Sequence, residues 1–314
     1  MDAQVQRIGT HYQVLSTLGR GGMGVVYKAQ DTAIGREVAI KMMVADIASD
    51  ADMLQRFEHE ARAAGKLSHP NIVTIYELGS DLGVPFIVME FLDGEPLDRV
   101  IARSPRLAIE RRIEIVIQVC RALDYAHKRK VIHRDIKPAN VMILREGEVK
   151  LVDFGIARIG SQKMTRTGLI IGTISYMSPE QISLGTIDGR SDIFSTGVLL
   201  FEMLGGKLPF DGEDTRQTMI KILTAPTPSI SDFDPPCPAE LQQIIERALP
   251  RIQRNATPMP AKWPTNSTKW PCYYDCGKSR LAMSAYLLLL SVLLCPTSLL
   301  AQPHRGLHPC RRLR

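Results

Sequence analysis

The spacing of apolar positions changes along the chain, and each change marks a predicted element. Residues 12–43 read as three strands. The first carries Val14, Leu15 and Leu18 into Gly19-Arg20-Gly21-Gly22-Met23-Gly24. Val25, Val26 and Tyr27 follow, and β-branched or aromatic residues there predict a strand rather than a helix. Residues 37–41 form the next strand, whose alternation puts Ala39 and Lys41 on one face and Val38 and Ile40 on the other. Met53, Phe57, Ala61, Ala64 and Leu67 recur at three- and four-residue spacing, which predicts a helix over 52–67. Residues 69–73 start a strand and 86–90 form another, broken by Phe91-Leu92-Asp93-Gly94. Ile113, Val116, Ile117, Cys120 and Leu123 form one stripe of a helix over 108–130. The helix predicted over 188–205 is apolar nearly all round and therefore buried. Two more helices are predicted over 213–224 and 238–249.

Charge and cysteine are unevenly spread. The formal net charge is +6, but ten Lys or Arg and a single acid, Asp275, lie from Pro250 onward, so the first 249 residues are net acidic. The basic excess therefore gives no reason to expect nucleic-acid binding by the main domain. Cys120 and Cys237 stand far apart before that point and read as reduced thiols of a cytoplasmic protein. The first twelve residues lack the apolar core of a signal peptide. Eight of the twenty prolines and both tryptophans lie beyond residue 249, which reads as a frame-shifted or spliced-in tail. Residues 281–301 are uncharged and long enough for a transmembrane helix, the alternative being a single-pass protein with its main domain in the cytoplasm. Pro296 and the heavier basic flank on the far side argue against that span. Cys272 and Cys276 have no second pair, so zinc is not expected.

The densest chemistry lies in His133-Arg134-Asp135-Ile136-Lys137-Pro138-Ala139-Asn140. It offers a carboxylate (Asp135), an ammonium (Lys137) and a carboxamide (Asn140) in one loop stiffened by Pro138. Phosphoryl transfer needs a base for the acceptor hydroxyl, a cation at the moving group and a metal ligand, and the loop holds one residue type for each. A lone His-Arg-Asp is usually a solvated turn, but the eight-residue run resembles the catalytic loop of the protein kinases. Glycines followed by a strand, Val38-Ala39-Ile40-Lys41, Asp153-Phe154-Gly155 and Gly172 to Glu180 all occur in the order of that family. The combination looks most like the bacterial serine/threonine kinases and covers residues 12–249.

The resemblance implies an α+β fold in two lobes: a small antiparallel β lobe with one helix over 12–90, and a larger, mainly helical lobe over 95–249. ATP would lie between them. Leu18, Gly19, Gly21, Gly22, Gly24, Val26, Ala39, Met89, Glu90, Leu92 and Met142 would surround it, with Met89 serving equally as core filler. Lys41 would meet the phosphates. Glu58 and Glu60 both compete to pair with it, and the resemblance favours Glu60. Asp135 would take the proton of the acceptor hydroxyl, Lys137 would neutralise the γ-phosphate, and Asn140 with Asp153 would hold Mg2+. Arg134 would pair with a phosphate on Thr165 or Thr167, in a regulatory loop that also carries Thr173. Asp192 resembles the family aspartate that holds the catalytic loop. The Gly172–Glu180 block implies a protein as acceptor.

The pattern fails after Leu249, where one last helix of the family is missing. Its absence predicts that the apolar faces of residues 193–204 and 241–249 lose part of their cover, and that Glu180 lacks its arginine, Arg254 being the one candidate. A nucleotide-binding module without catalysis, or an unstable product, are the alternatives to a working kinase.

Overall fold

A computed structural model describes residues 7–21, 24–43, 51–104, 107–154, 174–233 and 236–249. The tail, with its apolar run and four cysteines, lies outside them, as do Gly22, Gly155, Thr165, Thr167 and Thr173. Among the described residues no helix is long and apolar enough to cross a membrane.

The first lobe is an antiparallel sheet in the order β1-β2-β3-β4-β6-β5, comprising β1 (Arg7–Ile8), β2 (Tyr12–Gly21), β3 (Gly24–Asp31), β4 (Arg36–Met43), β5 (Ile75–Asp81) and β6 (Val84–Glu90). The period-two reading of β4 holds. Ala39 and Met43 enter a cluster with Phe57 and Ala61 of α1 (Ala51–Ala64), whereas Val38 and Ile40 enter a separate one with Ile8, Tyr12 and Phe86. The sheet is thus covered by α1 on one face and folds over a small core on the other.

The strand expected to start over 69–73 begins later, at Ile75. Ile72 makes only an isolated parallel bridge to Leu151; Val73 donates to the Leu151 carbonyl (3.0 Å) and Leu151 donates to that of Asn71 (2.9 Å). Pro70 has no N–H to give a ladder. The Asn71 side chain donates instead to Val149 O (2.8 Å) and Gln118 Oε1 (2.9 Å). This segment therefore stitches the first lobe to the second.

The second lobe begins with β7 (Gly94–Pro96), which pairs in a three-stranded sheet with β8 (Val141–Leu144) and β9 (Val149–Leu151). Helix α2 (Leu97–Arg103) follows β7, and α3 (Ile109–His127) leads to the loop before β8. The α3 stripe is wider than its spacing suggested, since Arg112, Ile115, Val119 and Ala122 are buried too. Arg112 Nη1 donates to Leu204 O (2.9 Å), setting a cation on the C-terminal carbonyls of a neighbouring helix. That neighbour is α5 (Gly189–Gly205), preceded by the short α4 (Pro179–Ile182) and followed by α6 (Thr215–Thr224) and α7 (Ala239–Ala248).

The faces expected to lose cover are buried. Leu241, Ile244, Ile245 and Leu249 share one cluster with Val198, Leu199, Phe201 and Leu204 of α5, and Phe233 packs edge-on against Phe201 at 5.0 Å. Gly197 makes this close approach feasible: a Cβ there would lie 2.6 Å from that of Ala248. Alanine is the better helix former by about 1 kcal/mol, but overpacking costs about 1–3 kcal/mol. Gly197→Ala is therefore expected to lower the free energy of unfolding in a urea titration. An unchanged or higher midpoint would mean that α5 and α7 are not in contact through this residue.

Candidate active site

Helix α3 delivers the chain to the His133–Asn140 loop, and the first turn of α5 holds it there. Asp192 has no solvent exposure. One of its oxygens accepts the His133 N–H (2.8 Å) and His127 Nε2 (2.7 Å), the other the Arg134 N–H (2.7 Å). A carboxylate at a helix N-terminus is also favoured by the helix dipole. These bonds offset an uncommon backbone, since Arg134 has a φ of 69°. The role that the resemblance implied for Asp192 agrees with this geometry. His127, its third partner, was not foreseen.

His133 is buried and works in one tautomer. Its Nδ1 accepts the Asp135 N–H (3.3 Å), so the proton sits on Nε2, which donates to Val152 O (2.9 Å). The ring lies 4.5 Å from that of Phe154. Burial pushes the imidazole pKa down, against the raising pull of Asp192 and Asp135.

In the loop itself, Lys137 Nζ lies 2.8 Å from Asp135 Oδ2. Asn140 Nδ2 donates to Asp135 O (2.7 Å) and Oδ2 (2.8 Å), and the Asn140 carbonyl accepts the Val152 N–H (3.1 Å). With its amide nitrogen so used, Asn140 keeps its side-chain oxygen as a donor to a cation. Asp153 follows Val152 with a φ of 63° and meets Lys41 Nζ at 2.7 Å. Burial alone would raise the Asp153 pKa; the Lys41 ammonium outweighs it and holds the carboxyl below its ordinary value. The structure therefore brings Lys41, Asp135, Lys137, Asn140 and Asp153 to one cleft. Hard oxygen donors such as Asn140 and Asp153 suit a magnesium ion that takes its remaining ligands from phosphate and water.

Above the cleft, Ala39 stands in register with Met89 and Lys41 with Val26. Ala39 and Met89 are buried in one cluster, against which Val26, Leu92 and Val152 pack. Met142 is half-buried in β8 and Leu18 exposed in β2. Gly19 and Gly21 lie in the same strand as Leu18. Gly24, with φ of 155°, admits no side chain, because a Cβ would stand 1.9 Å from Met42 O. Glu90 donates its N–H to Thr74 O (2.9 Å), and its carboxylate meets Lys150 Nζ (2.8 Å), a tie between the lobes that spacing could not reveal.

The expected Lys41–Glu60 pair is not formed. Lys41 takes Asp153, and Glu60 takes Arg134 Nη1 at 2.7 Å. Arg134, expected to hold a phosphate, is thus engaged by a carboxylate. The physical reason is that a largely buried charge needs an opposite charge nearby, and the left-handed backbone at Asp153 accompanies its pairing with Lys41. Of the two rival acids, Glu58 pairs with Arg62 one turn away on the surface of α1, and only Glu60 points inward.

The segment after Thr173 is also tied to the loop. Ser178 caps α4 in a reciprocal pair with Gln181, whose Nε2 donates to Arg134 O (2.8 Å). Tyr176 donates to Glu202, and Ser191 Oγ to Glu180 Oε1. Glu180 thus has a hydroxyl partner, and Arg254 lies outside the described residues.

The depressed His133 pKa has a consequence for stability. A base with a lower pKa folded than unfolded contributes stability above its unfolded pKa, about 6.5, and loses that contribution as pH falls below it. Melting temperatures should therefore fall between pH 7.5 and 5.5, and His133→Phe should show a shallower slope over this window. Equal slopes would contradict a buried neutral imidazole.

A protein kinase domain model matches residues 12–256 of the chain. Over 251 residues the chain is 42% identical to a probable serine/threonine-protein kinase of Streptomyces coelicolor, covering 78% of this chain and 37% of that protein. Over 244 residues it is 41% identical to the serine/threonine-protein kinase PrkC of Bacillus subtilis, covering 77% of this chain and 38% of that one. The chain thus spans under two fifths of the length of these relatives. The crystal structure of the Mycobacterium tuberculosis PknI kinase domain matches with a TM-score of 0.62 at 30% identity, covering 78% of this chain and 90% of that one. With a family model spanning most of its length and bacterial relatives above 40% identity, the chain belongs to the protein kinase family.

Proposed function

We propose that the chain transfers the γ-phosphoryl group of ATP to serine or threonine hydroxyls of proteins. The observation that carries this reading is the convergence of Asp135, Lys137 and Asn140 in one hydrogen-bonded loop, beside Asp153 and Lys41. The hydroxyl oxygen of the substrate attacks the γ-phosphorus, the bond to the β–γ bridging oxygen breaks, and ADP leaves. Asp135 receives the hydroxyl proton. Lys137 balances charge on the moving group, and Lys41 positions the α- and β-phosphates. Asn140 and Asp153 would hold Mg2+, which supplies charge neutralisation at the β- and γ-phosphate oxygens. Ala39, Val26, Met89, Leu92 and Met142 would enclose the adenine, with Glu90 and Leu92 offering backbone groups to its edge.

A protein acceptor is supported by the Gly172–Glu180 block, part of which is tied to the loop through Gln181 and Arg134, and by the serine/threonine kinases among the relatives. The free, buried Cys120, whose thiol burial pushes up to about 12, agrees with a cytoplasmic setting. One observation favours a second reading, a nucleotide-binding module without transfer: Lys41 pairs with Asp153 rather than Glu60. ADP binding without phosphate transfer would distinguish it.

Asp153→Ala is expected to abolish transfer from labelled ATP to a protein substrate, as is chelation of the divalent ion. Asp135→Asn should lower kcat by about 10²–10⁴-fold, the usual worth of a positioned base. Transfer by Asp153→Ala at the parent rate would overturn the assignment. Incubation with ATP should also place phosphate on Thr165 or Thr167, read by phosphopeptide mapping. Phosphate found only outside residues 159–173 would count against a role for these threonines.

A further inference from the structure

Three pieces of the second lobe meet around Arg134, and each is joined to the other two. The loop hangs on α5 through Asp192, which accepts the His133 and Arg134 N–H groups. The segment before α4 hangs on α5 as well: Ser195 Oγ donates to Tyr176 O (2.7 Å), and the Tyr176 hydroxyl donates to Glu202 (2.5 Å). The third side of this triangle, from the segment to the loop, is the side chain of Gln181. Its Oε1 accepts the Ser178 N–H (2.9 Å) and its Nε2 donates to Arg134 O (2.8 Å). A backbone N–H only donates and a carbonyl only accepts, so the amide has one orientation and both its ends are committed. Arg134 O belongs to the peptide that also carries the Asp135 N–H, and that N–H is held by His133 Nδ1 (3.3 Å). Gln181 and His133 therefore grip the two polar ends of the peptide plane that leads into Asp135. That plane follows a residue with a φ of 69°, a conformation that persists only where its surroundings over-determine it.

From this we infer that Gln181 is a positioning residue that ties the docking segment of the acceptor protein to Asp135, so that a hydroxyl laid on the segment arrives at the carboxylate. The far end of the tie is the segment's own backbone, because Ser178 caps α4 and gives its N–H to the Gln181 oxygen. A shift of the segment is thus passed to the Arg134–Asp135 peptide, and a turn of that peptide is passed back. The nucleotide side of the cleft, with Lys41 and Asp153, is built on other elements, β4 and the residues after β9. Loss of the tie therefore acts on transfer to a protein and not on nucleotide binding. This inference rests on the proposed reading that the Gly172–Glu180 block docks a protein acceptor.

The experiment measures steady-state transfer from ATP to the general kinase acceptor myelin basic protein, and binding of fluorescent ADP with Mg2+. It uses the full chain and its Gln181→Leu and Gln181→Glu variants. Gln181→Leu loses both bonds and is expected to lower kcat by about 10- to 100-fold, the scale of a small misplacement of reacting groups. ADP affinity and the KM for ATP should stay within about twofold of the parent. Gln181→Glu keeps an oxygen for the Ser178 N–H but sets a carboxylate against Arg134 O. The facing carbonyl and partial burial raise that carboxyl above its ordinary pKa of about 4.3, and once protonated it donates as the amide did. Its kcat relative to the parent should therefore rise about fivefold between about pH 8 and about pH 5.5. A side chain that only filled space would leave this ratio flat, and where the leucine variant melts early the ratio decides. The inference is overturned by a kcat of Gln181→Leu within about twofold of the parent, by ADP affinity that falls in step with kcat, or by a flat ratio for Gln181→Glu. In those cases the parent still transfers phosphate and the proposed function stands. A parent that transfers nothing to the acceptor overturns both.

Discussion

The structure depends most on one fully buried carboxylate. Asp192 sits without solvent exposure in the first turn of a helix that is apolar nearly all round. Burying an ionised group so deeply is tolerable only when its lone pairs are filled. Two backbone N–H groups of the loop and one imidazole fill them. The energetic demand of Asp192 and the geometric demand of the loop are met by the same bonds. That reciprocity lets Arg134 keep a left-handed backbone, with Asp135 immediately after it bonded to Lys137 and Asn140.

From Asp192 the constraint passes outward through short links. His133 carries it to Val152 by its single proton, and Asn140 carries it to the same residue by a backbone bond. Val152 precedes Asp153, so the two oxygen-bearing residues are held by one hairpin. The hairpin is in turn sewn to the first lobe by Asn71, Val73 and Leu151. Glu90 and Lys150 add an ion pair across the same boundary. The cleft between the lobes is thus framed by main-chain bonds, while the charged groups inside it meet one another through side-chain contacts.

Much of this was legible before any coordinates. Period-two alternation located Ala39 and Lys41 on the inner face of β4 because a pleated strand leaves no other choice. The apolar wrap of residues 193–204 announced a buried helix for the same kind of reason. The eight-residue loop was legible through its density of chemical types. The strand expected to start at 69–73 begins only at Ile75 because Val73 donates to a hairpin nearly eighty residues away, a long-range competition that local pattern does not record. His127 and Gln181 carry no signal because a histidine at a helix end and a glutamine in the first turn of a short helix are ordinary residues in sequence. Only the fold places them against Asp192 and Arg134. The expected loss of cover on α5 and α7 failed for a related reason. Gly197, a weak helix residue by propensity, is the one that lets the two helices close on each other.

The choice of partners among Lys41, Glu60, Arg134 and Asp153 belongs to a different category. Spacing and family order could bring these four to one region, but not rank their pairings. Every cation–carboxylate combination satisfies the need to neutralise buried charge, and the alternatives differ by the placement of one helix relative to one loop. Main-chain ladders are cooperative and hold a single register, whereas a largely buried ion pair needs an opposite charge but does not specify which one. A fold can therefore be legible in sequence while the pairing inside its cleft is not. The frame built on Asp192 fixes the Arg134 backbone through its N–H, and the Glu60 and Asp153 carboxylates then take the two cations that the fold sets beside them.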